Sequence, residues 1–179
     1  MSERSDVVLT PMNRRHLRAV QRIEAAVYPR PWTPGLFRSE LALADQRTYL
    51  VAQLDGRVVA YGGVMYVLPD AHITTMAVDP EHQRGGIGSR VLLGLCRAAI
   101  EAGSTALTLE VRVSNDPAQS VYRRFGFVPA GARKDYYPAI PGVADTEDAL
   151  VMWVHDIDHP DYAERLDAID VGLRDGASA

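Results

Sequence analysis

The chain has 179 residues, of which 47% are hydrophobic, and its formal net charge at pH 7 is -4. These values fit one globular domain with a substantial core and exclude collagen-like, disordered and disulfide-rich chains. Its single cysteine, Cys96, cannot form an internal disulfide, and no cysteine or histidine pair has the spacing of a zinc site, so no metal is expected.

The charge is distributed unevenly along the chain. Residues 156–179 contain seven acidic residues and two arginines, a net charge of -5, and the rest of the chain carries +1. This acidic end argues against binding to nucleic acid. Residues 1–6 are polar and offer no signal-peptide segment, and no stretch approaches the ~20 apolar residues of a membrane span. The sequence therefore predicts a cytoplasmic protein that does not associate with membranes.

A short strand at 7–10 and two helices are predicted first. Asn13 can cap the first helix, and its apolar residues recur at helical spacing, namely Leu17, Val20, Ile23 and Val27. Thr33 as N-cap and Pro34 at the first helical position start the second helix. Strands over 49–54 and 57–68 then form a hairpin, because Asp55-Gly56 is a two-residue turn signal.

The second half of the chain alternates strands and helices. The pattern predicts strands at 71–78, 106–113, 132–137 and 149–154 and helices at 87–102 and 116–125. Asp116 is expected to cap the last helix, with Gln119 closing a capping box.

The resulting order, βααβββαβαββ, predicts an α/β (α+β) fold with a central twisted, mixed and mostly antiparallel sheet and helices on both faces. We expect a folded domain over 1–155 and an acidic tail over 156–179, helical in part at 162–169.

A glycine-containing loop at 79–88 joins a strand to a helix. Its glycines can direct successive backbone N–H groups into one concavity at the helix N-terminus, which favours an anion such as phosphate. No Gly-Lys-Ser/Thr follows, and Val91 stands where a dinucleotide fingerprint needs its third glycine, so neither of those sites fits. A turn that only reverses the chain is the alternative.

Glu110 lies in the middle of a strand in which Leu107, Leu109, Val111 and Val113 point the other way. Burial would favour its use as a general base, whereas an ion pair with Arg112 or Arg124 would give it a structural role. Tyr122 can equally be a core aromatic residue, and Asn115 a turn or capping residue.

Two stretches resemble a known family. Gln83-Arg84-Gly85-Gly86-Ile87-Gly88 resembles the signature loop of the GCN5-related N-acetyltransferases (GNAT). This resemblance implies the GNAT fold and acetyl-CoA as co-substrate, with no metal. It also implies cofactor contacts from Met76, Ala77 and Val78 of the preceding strand and from Gln83, Arg84, Gly85, Gly86, Ile87, Gly88 and Ser89.

The run from Leu109 to Phe127 resembles the matching block of the RimI-type ribosomal-protein alanine N-acetyltransferases, and the likeness extends over roughly 7–154. Val121 and Pro117 depart from that block, and both are compatible with a helix. The resemblance implies that Glu110 is the general base, Tyr122 the general acid and Asn115 a cofactor contact. The implied acceptor is the N-terminal alanine of the eighteenth small-subunit ribosomal protein.

The acceptor amine must be neutral before it attacks the thioester. An α-amine with a pKa near ~8 is easier to deprotonate than a lysine near ~10.4, by ~3 kcal/mol at neutral pH. Lysine, relaxed peptide or small-amine acetylation remains an alternative, as does a non-catalytic acyl-CoA sensor.

Several smaller expectations complete the analysis. Trp32, Tyr136 and Tyr137 are expected at a peptide groove, or else in ordinary packing. Cys96 is expected in the core, and the chain is expected to be a monomer. The five histidines share no spacing and receive no role, namely His16, His72, His82, His155 and His159.

Overall fold

The computed structural model describes residues 7–176. The expectations for residues 1–6 and for the last three residues of the acidic tail lie outside this range. The strands are β1 (Val8–Pro11), β2 (Arg47–Leu54), β3 (Arg57–Val67), β4 (Asp70–Val78), β5 (Ala106–Arg112), β6 (Val128–Tyr137) and β7 (Glu147–His155). The helices are α1 (Leu17–Val27), α2 (Pro34–Leu41), α3 (Ile87–Glu101), α4 (Asp116–Arg124) and α5 (Pro160–Arg174).

One seven-stranded sheet has the order β1-β2-β3-β4-β5-β7-β6. Every neighbouring pair is antiparallel except β4 and β5, which are parallel. The predicted mixed, mostly antiparallel sheet is therefore confirmed. So is the hairpin: Asp55 and Gly56 both have positive φ, 50° and 75°, as the primed turns that suit two-residue hairpins require.

Hydrophobic clusters cover both faces of the sheet. On one face, α1 and α2 bury residues such as Val20, Ile23 and Phe37 against β2 and β3. On the other face, α3, α4 and α5 form a larger cluster that includes Leu92 and Phe125. Apolar residues at helical spacing on α1 and α3 lead to this arrangement, because each helix buries one stripe.

Helix α4 begins at Asp116, as predicted, but its N-cap is Asn115 and not Asp116. The Asn115 side chain, not that of Asp116, accepts the cap hydrogen bond, from the Ala118 backbone N–H at 3.2 Å. Gln119 closes no capping box. Its side-chain amide donates to the backbone carbonyls of Arg112 and Val113, at 3.2 and 3.0 Å, and ties α4 to the end of β5.

The acidic C-terminal segment is more ordered than its composition suggests. Helix α5 is longer than the predicted 162–169, and its buried side chains recur every three or four residues: Tyr162, Leu166, Ile169 and Leu173. They join the cluster around α3 and α4. The division into a domain over 1–155 and a tail over 156–179 stays a prediction. In the structure, the buried residues of α5 belong to the same hydrophobic cluster as those of the preceding elements.

Replacement of Leu166 tests whether α5 contributes to that core. Leu166 is buried, so Leu166→Ala should lower the free energy of unfolding by about 2–5 kcal/mol, through lost transfer energy and the cavity left behind. Urea unfolding followed by circular dichroism measures this. Val171, on the exposed side of α5, provides the control, because Val171→Ala should change stability by less than about 0.5 kcal/mol. Equal effects of the two substitutions would mean that α5 is not docked.

Candidate active site

The parallel pairing of β4 and β5 is short. It covers only Asp70–His72 opposite Ala106–Thr108, although β4 continues to pair with β3 up to Val78 and β5 with β7 up to Arg112. Beyond His72, the facing edges of the two strands therefore separate. A cavity of about 330 Å³ occupies this gap, and side chains from both faces of the sheet line it, among them Trp32 and Tyr122.

Glu110 lies on β5 at this gap, and its side chain is only 9% exposed. His72 Nε2 lies 2.5 Å from its Oε2, and Arg133 Nη2 lies 3.1 Å from its Oε1. Neither of the partners considered from the sequence contacts it. Arg112 reaches Glu147 at 2.9 Å instead, and the Arg124 side chain lies near Gly172 of α5.

His72 received no role from the sequence, yet the structure places it directly on the candidate base. β4 pairs with β5 in the register His72 to Thr108. Glu110 follows Thr108 by two residues and points to the same side. A carboxylate and an imidazole in contact can share or pass a proton, so this pair suits acid–base chemistry.

Tyr122 approaches the cavity from α4. It is buried, and its ring packs on Phe127 with centroids 5.9 Å apart. Burial raises the pKa of the Tyr122 phenol well above its ordinary value, with smaller contributions from Tyr28 and Tyr137. The phenol therefore keeps its proton at neutral pH and can act only as a donor or a neutral acceptor.

The glycine-containing loop before α3 has a geometry suited to anions. Arg84 and Gly86 have φ of 67° and 75°, and Gly86 is the N-cap of α3. The first helical hydrogen bond runs from the Arg90 N–H to the Gly86 carbonyl, at 3.0 Å. Within residues 7–176, the backbone N–H groups of residues 86–89 donate to no group of the chain. These N–H groups are free to bind an anionic ligand.

The other residues expected at the cofactor have different environments in the structure. The Gln83 side-chain amide donates to the Val78 carbonyl at 3.2 Å, which connects the loop to the end of β4. Met76 lines the cavity, and its carbonyl accepts a hydrogen bond from the Tyr28 hydroxyl at 2.5 Å. The Ala77 side chain points away, into the cluster under α1. Oδ1 of the Asn115 side chain accepts the N-cap hydrogen bond of α4.

The three aromatic residues expected at a peptide groove all line the cavity. Trp32 packs on Phe37 with centroids 5.2 Å apart, and Tyr136 and Tyr137 make an edge-on pair at 5.1 Å. The Arg112 guanidinium lies 4.0 Å from the centre of the Tyr137 ring, an arrangement that favours a cation–π interaction.

Glu24 is a cavity residue that the sequence analysis missed. It is 1% exposed, and it accepts hydrogen bonds from the Trp32 backbone N–H, at 2.9 Å, and from the Tyr61 hydroxyl. Burial raises the pKa of Glu24, against the opposing effect of the Trp32 hydrogen bond. A signal was available: Glu24 falls on the apolar face of α1, four residues after Val20, where a carboxylate is unusual.

Arg30 connects the two loops that border the cavity. Its Nη2 donates to the Ala139 carbonyl at 3.3 Å, across the space between the α1–α2 loop and the segment after β6. No local pattern predicts this contact, because the two residues are 109 positions apart in sequence.

Cys96 has no part in the cavity. It is fully buried in α3, and burial raises its pKa to about 12, although a hydrogen bond from Tyr162 opposes this effect. The thiol is therefore protonated at neutral pH, and the prediction that Cys96 is a core residue is confirmed. Among residues 7–176, no group of three or more metal-binding side chains is found, and no helix in that range has the length and apolar character needed to cross a membrane.

Comparison with known proteins gives one consistent result. The sequence profile of the acetyltransferase (GNAT) family matches residues 17–127. A putative ribosomal protein bS18-alanine N-acetyltransferase of Bacillus subtilis (strain 168) is 40% identical over 135 residues, 75% of this chain and 86% of the relative. The ribosomal protein bS18-alanine N-acetyltransferase of Escherichia coli (strain K12) is 36% identical over 138 residues, 76% of this chain and 88% of that protein.

A solved structure agrees with these relatives. The crystal structure of the ribosomal-protein-S18-alanine N-acetyltransferase from Escherichia coli superposes with a TM-score of 0.76 at 29% identity. The superposition covers 84% of this chain and 94% of that one.

The buried carboxyl of Glu24 gives the protein a testable pH dependence. Between the ordinary pKa of 4.5 and the raised value in the folded state, the folded protein keeps a proton that the unfolded chain has lost. The free energy of unfolding contributed by Glu24 is therefore greatest below pH 4.5 and falls as the pH rises through this window. Glu24→Gln removes the titration and keeps the shape of the side chain, so the variant should gain stability relative to the wild type as the pH rises.

Urea unfolding of both proteins from pH 4.5 to 8 measures this difference. The matched control is Glu101→Gln, at an exposed glutamate near the end of α3, whose difference from the wild type should not follow the same trend. A Glu24→Gln difference that is independent of pH would show that the folded state does not hold the proton.

Proposed function

Because the chain belongs to the acetyltransferase (GNAT) family, we propose that it acetylates the α-amine of a protein N-terminus with acetyl-CoA as donor. The observation that carries this proposal is the cavity in the gap between β4 and β5. The Glu110 carboxylate, which is only 9% exposed, and a protonated phenol, Tyr122, line the same space. The strand β4, which borders this space, leads to the start of α3 with its free N–H groups.

The residues around the gap fit acetyl-CoA, which supplies an acetyl group activated as a thioester. The N–H groups of residues 86–89 would bind its diphosphate, with the favourable end of the α3 dipole behind them. Because β4 and β5 separate after His72, one edge of β4 from Ile73 to Val78 has no strand partner among residues 7–176, and this edge can hydrogen-bond to the extended pantetheine arm. Asn115, at the start of α4, would contact the same arm.

Glu110 would take the proton of the acceptor amine, directly or through water. Each carboxylate oxygen has two acceptor positions, so the contacts with His72 and Arg133 leave capacity for the amine. These two partners also fix the orientation of the carboxylate. The amine nitrogen, which is neutral when it attacks, forms a bond to the acetyl carbon and gives one proton to Glu110. The bond from that carbon to sulfur breaks, and sulfur leaves with the electron pair.

Two further groups would assist this exchange. A backbone N–H of β4 near Val78 would donate to the carbonyl oxygen, where negative charge develops. Tyr122 would give its proton to the departing sulfur, which the raised pKa of its phenol permits because the proton is present at neutral pH. No covalent bond to the protein is needed, in agreement with the buried and protonated state of Cys96.

For the acceptor we propose an N-terminal alanine, that of the eighteenth small-subunit ribosomal protein. The names of the Bacillus subtilis and Escherichia coli relatives support this choice. The acceptor would enter from the side of Trp32, Tyr136 and Tyr137, whose rings offer apolar surface to a peptide. A single glutamate base also suits an α-amine better than a lysine, by the difference of ~3 kcal/mol at neutral pH.

Glu110→Gln tests the assignment of the base. It keeps the size of the side chain and removes the proton acceptor, so kcat for an alanine-starting peptide should fall by about 10²–10⁴-fold, while binding of CoA remains. Steady-state kinetics and calorimetry measure the two quantities. Glu101→Gln serves again as the control and should keep the wild-type kcat. Unchanged turnover of Glu110→Gln would remove Glu110 from the mechanism.

The position of the acetyl group tests the acceptor class. A library of peptides with different first residues, several of them containing internal lysine, is incubated with acetyl-CoA and read by tandem mass spectrometry. The acetyl group should be found on the α-nitrogen, and mainly on peptides that begin with alanine. Acetyl groups on the ε-nitrogen would favour a lysine acetyltransferase. Binding of CoA without thiol release for any peptide would favour a non-catalytic sensor.

A further inference from the structure

Helix α5 reaches the loop that would hold the diphosphate. A Cβ atom added to Gly86 would lie 3.0 Å from Leu173 Cδ2, so the Leu173 side chain packs directly against the backbone of this glycine. In the same turn of α5, the Leu173 carbonyl accepts a hydrogen bond from Arg90 Nη2 at 2.7 Å. The last turn of α5 therefore contacts both the N-cap and the first turn of α3.

Polar contacts hold α5 in this position. Arg97 of α3 bonds to Asp167 and Asp170 at 3.0 and 3.1 Å, and the Tyr162 hydroxyl donates to the Phe125 carbonyl at 3.0 Å. The helix is thus fixed at both of its ends. The contact between Leu173 and Gly86 is therefore made by a helix that is packed against the rest of the protein.

We propose that Leu173 is a positioning residue for the acyl-CoA site, which keeps the Gly86 loop in the conformation that binds the diphosphate. This inference rests on the proposed function, because it assumes that the ligand of the loop is the diphosphate of CoA. It assigns a role to the C-terminal segment, which contains neither the loop motif nor a proposed catalytic residue.

The argument follows from the conformation of Gly86. Its φ of 75° and ψ of 3° direct the N–H groups that follow it toward one place. Glycine has more backbone freedom than any other residue. Ligand binding would therefore lose conformational entropy by fixing Gly86 in this conformation, unless neighbouring atoms already restrict it. Leu173 provides such a restriction before the ligand arrives, and a preorganised loop binds with less loss of entropy.

The contact with Arg90 has a second effect. Arg90 lies in the first turn of α3, and its guanidinium donates a hydrogen bond to the Leu173 carbonyl. The carbonyls at the C-terminal end of a helix carry partial negative charge, which favours this pairing with a cation. The last turn of α5 thus orients a positive charge at the same helix start.

The test compares two substitutions of equal size in α5. Leu173 and Ile169 are both buried, and each loses three carbon atoms when replaced by alanine, but only Leu173 packs on Gly86. Both variants should lower Tm. Leu173→Ala alone should weaken the binding of CoA, raising its Kd and the KM for acetyl-CoA by about tenfold, the cost of ordering a loop that is no longer held.

Calorimetry with CoA and steady-state kinetics on the full-length proteins provide the readouts. In Leu173→Ala, kcat at saturating acetyl-CoA and the KM for the peptide should stay at wild-type values. Leu173→Met, which keeps an apolar side chain of similar volume, should restore the Kd. If Leu173 only stabilised the fold, Leu173→Ala would lower Tm and would leave the Kd for CoA and the KM for acetyl-CoA at their wild-type values.

Three outcomes would overturn the inference. The first is a Kd for CoA in Leu173→Ala within about twofold of the wild type, which is less than the ordering cost of one loop. The second is an equal increase of the Kd in Ile169→Ala, which would indicate general destabilisation. The third is a wild-type protein that does not bind CoA, which would overturn the proposed function as well. In the first two cases, wild-type activity with acetyl-CoA leaves the proposed function intact.

Discussion

The separation of β4 from β5 after three residue pairs is the constraint on which the site depends. A continuous parallel pairing would close the sheet and use the backbone groups of β4 from Ile73 onwards in strand hydrogen bonds. Because the pairing stops at His72, the sheet contains a gap that residues from both of its faces can reach. A donor can then be held from the side of α3 and α4, and an acceptor from the side of α1 and α2.

Two carboxylates of the described residues line this gap, the buried Glu24 and the partly buried Glu110, and their environments differ. Glu110 has a histidine and an arginine as partners, groups that stabilise or exchange charge. Glu24 has only neutral donors, a backbone N–H and a tyrosine hydroxyl, and burial raises its pKa. In the proposed mechanism, the first carboxylate takes up a proton during the reaction, whereas the second accepts a hydrogen bond from the Trp32 backbone N–H and takes no part in the chemistry.

Local patterns predicted the order of the elements, since hydrophobic spacing, the Asp55-Gly56 turn and the Thr33 cap are all properties of neighbouring residues. Contacts between distant residues escaped prediction. His72 precedes Glu110 by 38 positions, and only the register of β4 against β5 brings them together. The α4 cap differed by one residue, because Asn115 and Asp116 are both good N-caps and tertiary contacts decide between them. In α5, the apolar residues are interspersed with charged ones, and this pattern suggested only a partial helix.

An acidic helix beside the proposed diphosphate site requires an explanation, and the pairing of its charges supplies it. Partial burial would raise the pKa of Asp170, but hydrogen bonds from Arg174 and Arg97 hold it below its ordinary value. Asp170 is therefore ionised, and two guanidinium groups balance its charge, while Arg97 also pairs with Asp167. The Leu173 carbonyl, at the negative end of the helix, faces Arg90. Arginines thus pair with Asp167 and Asp170, the two acidic groups of α5 that contact Arg97 of α3, and this pairing lowers the repulsion that the net charge of -5 in residues 156–179 would exert on a diphosphate at Gly86.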